Sequence, residues 1–399
     1  MPTMNRRTFL IASIGAIGAA SGVAVTVPML LHHAEQQPLA AHKGILVIVT
    51  LYGGNDGLNT VIPYADNAYH DARPDLSYSP NEVLDLDGRL GLNPALRGLN
   101  DAWHNKELAI VRGVGYPKQD HSHFRSMDIW QSATPDRPVS TGWIGRWLDA
   151  TGTDPLRAIN LGSVLPPMAV GEKHLAASLS PTIPLIPSEF GSTLTAMSTA
   201  DAHDTPAMES VRSTYRANTI TDRTLSQFAS ATPPTDGRSD PGKRLAENLS
   251  LVADCIRARV PTQVYMVDLG DFDTHADERG DHQRLLQSVD NALTPFLRQM
   301  RTSSYGSNVT VMVYSEFGRR VRANASQGTD HGTSAPVFIA GPAVKGGFYG
   351  DEPSLTDLDD GDLKTTTDFR DVYYELLTKT VGTDPDPVVG TGRRDIGFL

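Results

Sequence analysis

Two hydrophobic rhythms alternate along this chain. KGILVIVTLYGG at 43–54 is an unbroken β-branched and apolar run closed by glycine, which predicts a strand buried on both faces. ELAIVRGVG at 107–115, TQVYMVDLG at 262–270, NVTVMVYSEFG at 308–318 and APVFIAGP at 335–342 read the same way. Between them the spacing turns helical, in HFRSMDIWQS, GWIGRWLDATG, GKRLAENLSLVADCIRARV and DHQRLLQSVDNALTPFLRQMR. In the last of these Leu285, Val289, Leu293, Phe296 and Leu297 share one face. Strands alternating with helices predict an α/β fold, a mostly parallel central sheet with helices on both faces. No internal repeat interrupts it, and residues 42–399 read as a single domain.

One stretch departs from the rhythm. Around 182–242 the chain is rich in Ser, Thr, Pro and Ala, includes ATPPTDGRSDPG, and carries one helical pattern near 209–229. It reads as an inserted lid or surface excursion, with a disordered insert as the alternative.

Composition and charge narrow the function. The 399 residues carry a formal net charge of -11, which argues against nucleic acid as a partner. The lone Cys255 excludes an internal disulfide and a Cys-rich zinc site, and its helical spacing with Leu251, Val252, Ile256 and Arg259 marks it as a core thiol. At the N-terminus, Arg6 and Arg7 precede Phe9, Leu10 and a Gly/Ala-rich uncharged run to Leu31. Residues 1–41 therefore resemble a twin-arginine export signal, with the export machinery as partner and the bacterial periplasm or outer envelope as destination. The run is also long enough to span a bilayer, so an uncleaved leader is the one membrane contact the sequence allows.

Ligands of such sheets bind beyond the carboxyl ends of the strands. Asn55 and Asp56 follow the first predicted strand, and Asp120, His121, Ser122 and His123 follow the second. Asp268, Asp271, Asp273 and His275 follow the third, Glu316 closes the fourth, and Asp330 with His331 precedes the fifth. Each group alone has an ordinary explanation, as a turn, a solvated loop or a surface ion pair. Their recurrence at strand ends points to a divalent metal. Carboxylate with imidazole suits Zn or Mn, whereas carboxylates alone suit Ca or Mg.

Asp271 with His275 four positions on, after a strand, is similar to the Asp-x-x-x-His ligand pair of the alkaline phosphatase and sulfatase superfamily. GGNDGLN, DHSHFRSMDIWQS, DFDTH, SEFGR, TDHG and TDFRDVYYELL together resemble domain of unknown function family 1501 within that superfamily, over nearly the whole chain after the leader. The resemblance implies an alkaline-phosphatase-like three-layer sandwich with one or two metal ions and a phosphate or sulfate ester, small molecule or glycan, as substrate. Carried onto this sequence, it implies Asp56, Asp271, His275, Glu316, Asp330 and His331 as metal ligands and Ser122 as nucleophile. Arg125 and Arg319 would hold the anion, and His121 and His123 would carry protons or add ligands. For Ser122 a plain helix N-cap is the alternative. Two departures bear on activity. Glu316-Phe317 stands where the superfamily's phosphatases have Asp-His, and no Cys/Ser-x-Pro-x-Arg box follows Ser122. A non-catalytic envelope binding or assembly protein on the same scaffold is the second reading.

Overall fold

The computed structural model describes residues 23–25, 27–162, 164–179 and 240–399. The Ser/Thr/Pro-rich insert and its helical pattern near 209–229 lie outside these residues, apart from 240–242.

Nine strands form the main path of the central sheet: β1 (Val23–Val25), β2 (Ile45–Leu51), β3 (Leu108–Gly115), β4 (Ala158–Leu161), β5 (Ala177–Leu179), β6 (Val264–Leu269), β7 (Val309–Ser315), β8 (Ala335–Ala340) and β9 (Gly347–Tyr349). Their order is β1-β5-β4-β6-β2-β7-β8-β3-β9, and β10 (Thr367–Asp368) pairs with β3 off that path. All five predicted strands are present. The short strands β4 and β5 and the terminal pieces carry too few apolar residues to stand out in sequence.

The pairing is parallel except at β8, which runs antiparallel to both β7 and β3. This reversal matters for function. It brings the start of β8 to the edge where the parallel strands end, so the loop before β8 joins the loops after β2, β3, β6 and β7.

Alternation along β2 shows why the strands are apolar throughout. Ile45, Val47, Val49 and Leu51 pack into one layer with helices α2 (Arg97–His104), α5 (Pro241–Arg257) and α6 (Glu278–Thr302). Leu46 and Ile48 pack into the other with α3 (His123–Ser132), α4 (Trp143–Thr151) and α7 (Phe369–Glu375). Each such side chain contributes about 1.5–3 kcal/mol on burial, so both layers are needed to hold the sheet. The chain is thus an α/β sandwich with a mostly parallel sheet. Cys255 lies in the first layer, buried and free, and burial raises its thiol to about 12.

Residues 23–36, within the stretch read as a leader, pack on this body. β1 pairs with β5, and Leu30 and Ala34 of α1 (Val27–Gln36) are buried in the first layer. No helix among the described residues is long and apolar enough to cross a membrane.

Candidate metal centre

Three imidazoles and one carboxylate meet at the carboxyl edge of the sheet. Asp273 Oδ1, in the loop after β6, lies 3.0 Å from His275 Nε2, 3.0 Å from His331 Nε2 and 3.3 Å from His123 Nε2. His275 Nε2 and His331 Nε2 are 2.9 Å apart.

The outward nitrogens explain the inward ones. His331 Nδ1 is 2.7 Å from the backbone carbonyl of His121, which can only accept, so the proton is on Nδ1 and the Nε2 lone pair faces inward. His123 Nδ1 meets Glu316 Oε1 at 2.9 Å, with the same consequence, whereas His275 Nδ1 only faces Asp330 Oδ1 at 3.5 Å and its Nε2 shares a hydrogen bond with His331 Nε2. The Nε2 lone pairs of His123 and His331 then face the Asp273 carboxylate, and His123 Nε2 is buried without a hydrogen bond. Lone pairs turned toward a carboxylate repel it, and a cation among them would relieve that repulsion. Ligands of a tetrahedral zinc, at roughly 2.0–2.1 Å from the ion, stand about 3.3 Å apart; the ligand atoms of His123, Asp273 and His331 all lie within 4.8 Å of one another, and His275 adjoins this group through Asp273 and His331. Imidazoles tied outward to carboxylates and a carbonyl are the usual surroundings of metal-bound histidine. The residues fit a divalent ion.

The local chain accounts for each position. Gly53, after β2, has φ +117°, and a Cβ there would sit 2.5 Å from the Asp273 amide. Glycine therefore lets the first loop pass against the third. Gly53 N donates to Glu316 Oε1 at 2.9 Å, which holds Glu316 behind His123. The Phe317 ring packs on the rings of His123 and His331, at 4.9 and 4.8 Å between centroids. Where the resemblance would have an imidazole at 317, an aromatic floor lies instead, and His123 brings an imidazole from α3.

Electrostatics sharpens the contrast among these groups. Burial works against the Asp273 charge, but Arg319 and His331 more than offset it and bring the carboxyl to about 2. The hydrogen bond that His123 donates to Glu316 raises the His123 pKa, while burial lowers that of His331.

The structure does not bring every expected ligand to this point. Asp56 is fully buried and pairs with Arg73 Nη1 at 2.5 Å, away from the imidazoles. Asp271 is exposed at a left-handed turn, φ 73°, with no hydrogen-bond or ion-pair partner among the described residues. Glu316 and Asp330 stand behind histidines. Arg319 has no exposed side chain and is spent on the chain itself: it donates to the carbonyls of Gly53, Gly54, Phe272 and Thr329 and to Asp273. Arg125 is held by Asp128 at 2.6 Å and the Pro135 carbonyl at 3.2 Å. His121 pairs through Nε2 with Asp362 at 2.7 Å. Ser122 is the N-cap of α3, yet its hydroxyl makes no capping bond and it is exposed.

A second polar cluster, not anticipated from the sequence, ties the same loops together beneath the site. Arg73 Nε and Nη2 hold the Val321 and Arg320 carbonyls at 2.8 and 2.7 Å, and Thr329 Oγ1 donates to Glu278 Oε2 at 2.6 Å. Burial and the neighbouring Asp56 raise Glu278 to about 9, so it is neutral at pH 7. Burial works against the Asp56 charge too, but Arg73 brings that carboxyl to about 2, and burial lowers His282 to about 4. An unfolded Glu278 ionises near its ordinary value, so between about pH 4.5 and about 9 the folded state holds the extra proton. Stability from this group is complete below that window and falls as pH rises through it, by at most about 1.4 kcal/mol per unit. Glu278→Gln is expected to flatten the decline, read as urea midpoints against pH. An unchanged slope would contradict the neutral assignment.

Fold and site together define an α/β protein with a cluster of His and Asp side chains on its sheet edge that could hold a metal ion. Residues 188–396 match the family described as protein of unknown function DUF1501, and the chain belongs to that family. No curated relative matches it in sequence. Among solved structures it is similar to a protein in the alkaline phosphatase superfamily from Vibrio parahaemolyticus, at 11% identity and a TM-score of 0.44, over 91% of this chain and 72% of that one. A 2-O glycosaminoglycan sulfatase is similar at 10% identity and 0.39, over 77% and 66%. Murine ectonucleotide pyrophosphatase/phosphodiesterase 5 in complex with AMP is similar at 10% and 0.39, over 86% and 96%.

Proposed function

We propose that the protein is an exported metal-dependent hydrolase of phosphate or sulfate esters. The convergence of His123, His275 and His331 Nε2 on Asp273 Oδ1, with Nδ1 of His123 and His331 tied outward, carries the reading. His123, Asp273 and His331 would hold one divalent ion, with His275 beside them as a fourth ligand, and Zn or Mn is favoured by the mixed nitrogen and oxygen donors. A bound ion supplies Lewis acidity toward an ester oxygen and a lowered hydroxyl pKa. The protein's residues supply the rest. The N-terminus of α3 points its amides and positive dipole end toward an anion. The Ser122 hydroxyl, free of any capping bond, is the proposed nucleophile. Glu316 and Asp330 keep their imidazoles from turning. Export rests on the twin arginine of the leader.

Metal analysis of protein purified without chelator, followed by turnover of a phosphate and sulfate ester panel, tests this. Ser122→Ala is expected to keep its metal and lose about a thousandfold or more in turnover. Metal-free wild-type protein, or undiminished turnover by the variant, would overturn the ion or the nucleophile respectively. One observation favours the binding or assembly reading. Arg125 and Arg319 are both committed elsewhere, which leaves neither for the anion. Metal retained with no ester turned over would select that reading.

A further inference from the structure

Among the described residues only Leu31, Phe124 and Val164 are large hydrophobics left exposed, and only Phe124 is aromatic. Its exposure is 91%, on the first turn of a helix whose opposite face is buried. Scattered single apolar residues on a surface are ordinary, but the place of this one is not. It follows His123 directly, beside the exposed Ser122.

The turn that carries Phe124 is also held on both sides. His123 is fixed by Glu316 at 2.9 Å. Arg125 is fixed by Asp128 at 2.6 Å and by the Pro135 carbonyl at 3.2 Å. Successive residues on a helix point about 100° apart. With one neighbour directed into the metal centre and the other tied down, the Phe124 ring stands at the rim and faces water. The backbone turn that presents the ring is fixed, and the ring itself offers an uncovered aromatic face on which a flat partner can stack.

We propose that Phe124 is a specificity-determining residue, a platform for a flat ring in the alcohol half of the ester. The inference rests on the anion-ester reading above and adds a substrate class, esters of ring-bearing alcohols over those of small alkyl ones. The anion would lie toward the imidazoles and the N-terminus of α3, and the ring would extend outward over Phe124.

Binding of non-hydrolysable probes separates this from catalysis. Phenylphosphonate and methylphosphonate are titrated calorimetrically into the zinc-loaded wild type, Phe124→Ala and Phe124→Tyr, with zinc content measured on the same samples. The wild type is expected to prefer the phenyl probe by about tenfold, the worth of one aromatic stack. Phe124→Ala should lose that preference without weaker methylphosphonate binding, and Phe124→Tyr should keep it. A wild type that binds the two probes equally, or binds neither, overturns the proposal, as does a preference that survives in Phe124→Ala. A preparation that takes up no zinc overturns the parent reading instead, and a phenyl preference that persists there still assigns the ring to Phe124.

Discussion

Asp273→Ala is expected to strip the protein of bound metal while the chain stays folded. Its carboxylate oxygen is the one atom within 3.3 Å of all three inward imidazole nitrogens, so its loss removes a ligand and the centre of the cluster together. Metal affinity should fall by about 100-fold or more, beyond what loss of an orienting partner alone costs. Glu316→Gln, which changes only the outward partner of His123, should lie within that smaller range of about 10–100-fold. The fold should survive because Asp273 is half exposed and Arg319 keeps four backbone carbonyls. Asp271→Ala is the matched control two residues away, expected to bind metal as the wild type does. Chelator competition measures all three. An Asp273→Ala protein that holds metal normally, or an Asp271→Ala protein that loses it, would mean the wrong carboxylate has been placed at the centre.

That choice between two aspartates shows where the sequence stops being readable. In DFDTH, positions 271, 273 and 275 have the same parity, so an extended chain would turn all three side chains one way. The left-handed backbone at Asp271 breaks the row, and its side chain leaves the line shared by Asp273 and His275. Nothing local announces that break, because Gly270-Asp271 is compatible with several turns. His331 was legible for a firmer reason: a histidine in a glycine-flanked loop next to an apolar run belongs at a strand end in any orientation. The antiparallel course of β8 then decides which edge that is. The long strands were legible because burial on both faces demands unbroken apolar runs, and β5, with three residues, has too short a run to signal anything. Arg319 looked like an anion clamp because charge type is visible in a sequence and burial is not. Five acceptors drawn from three loops exist only once the chain is folded.

Arg73 was invisible for the same reason, and its removal should cost the most stability. Asp56 and Arg73 side chains are both fully buried and in contact at 2.5 Å. Arg73→Met would leave the Asp56 carboxylate buried beside Glu278 with no cation and would free the carbonyls of Arg320 and Val321. Breaking such a pair from one side costs about 3–5 kcal/mol. Removing the charge on both sides should cost less, because no ion is then stranded, so Asp56→Asn combined with Arg73→Met should be more stable than Arg73→Met alone. Urea unfolding of the two single variants and the double closes the cycle. Metal binding by folded Asp56→Asn separates a structural pair from a ligand. If Asp56 serves the fold through Arg73, the variant keeps wild-type affinity. Loss of metal from a folded Asp56→Asn protein would return Asp56 to the ligand set and imply that Arg73 moves aside to admit an ion.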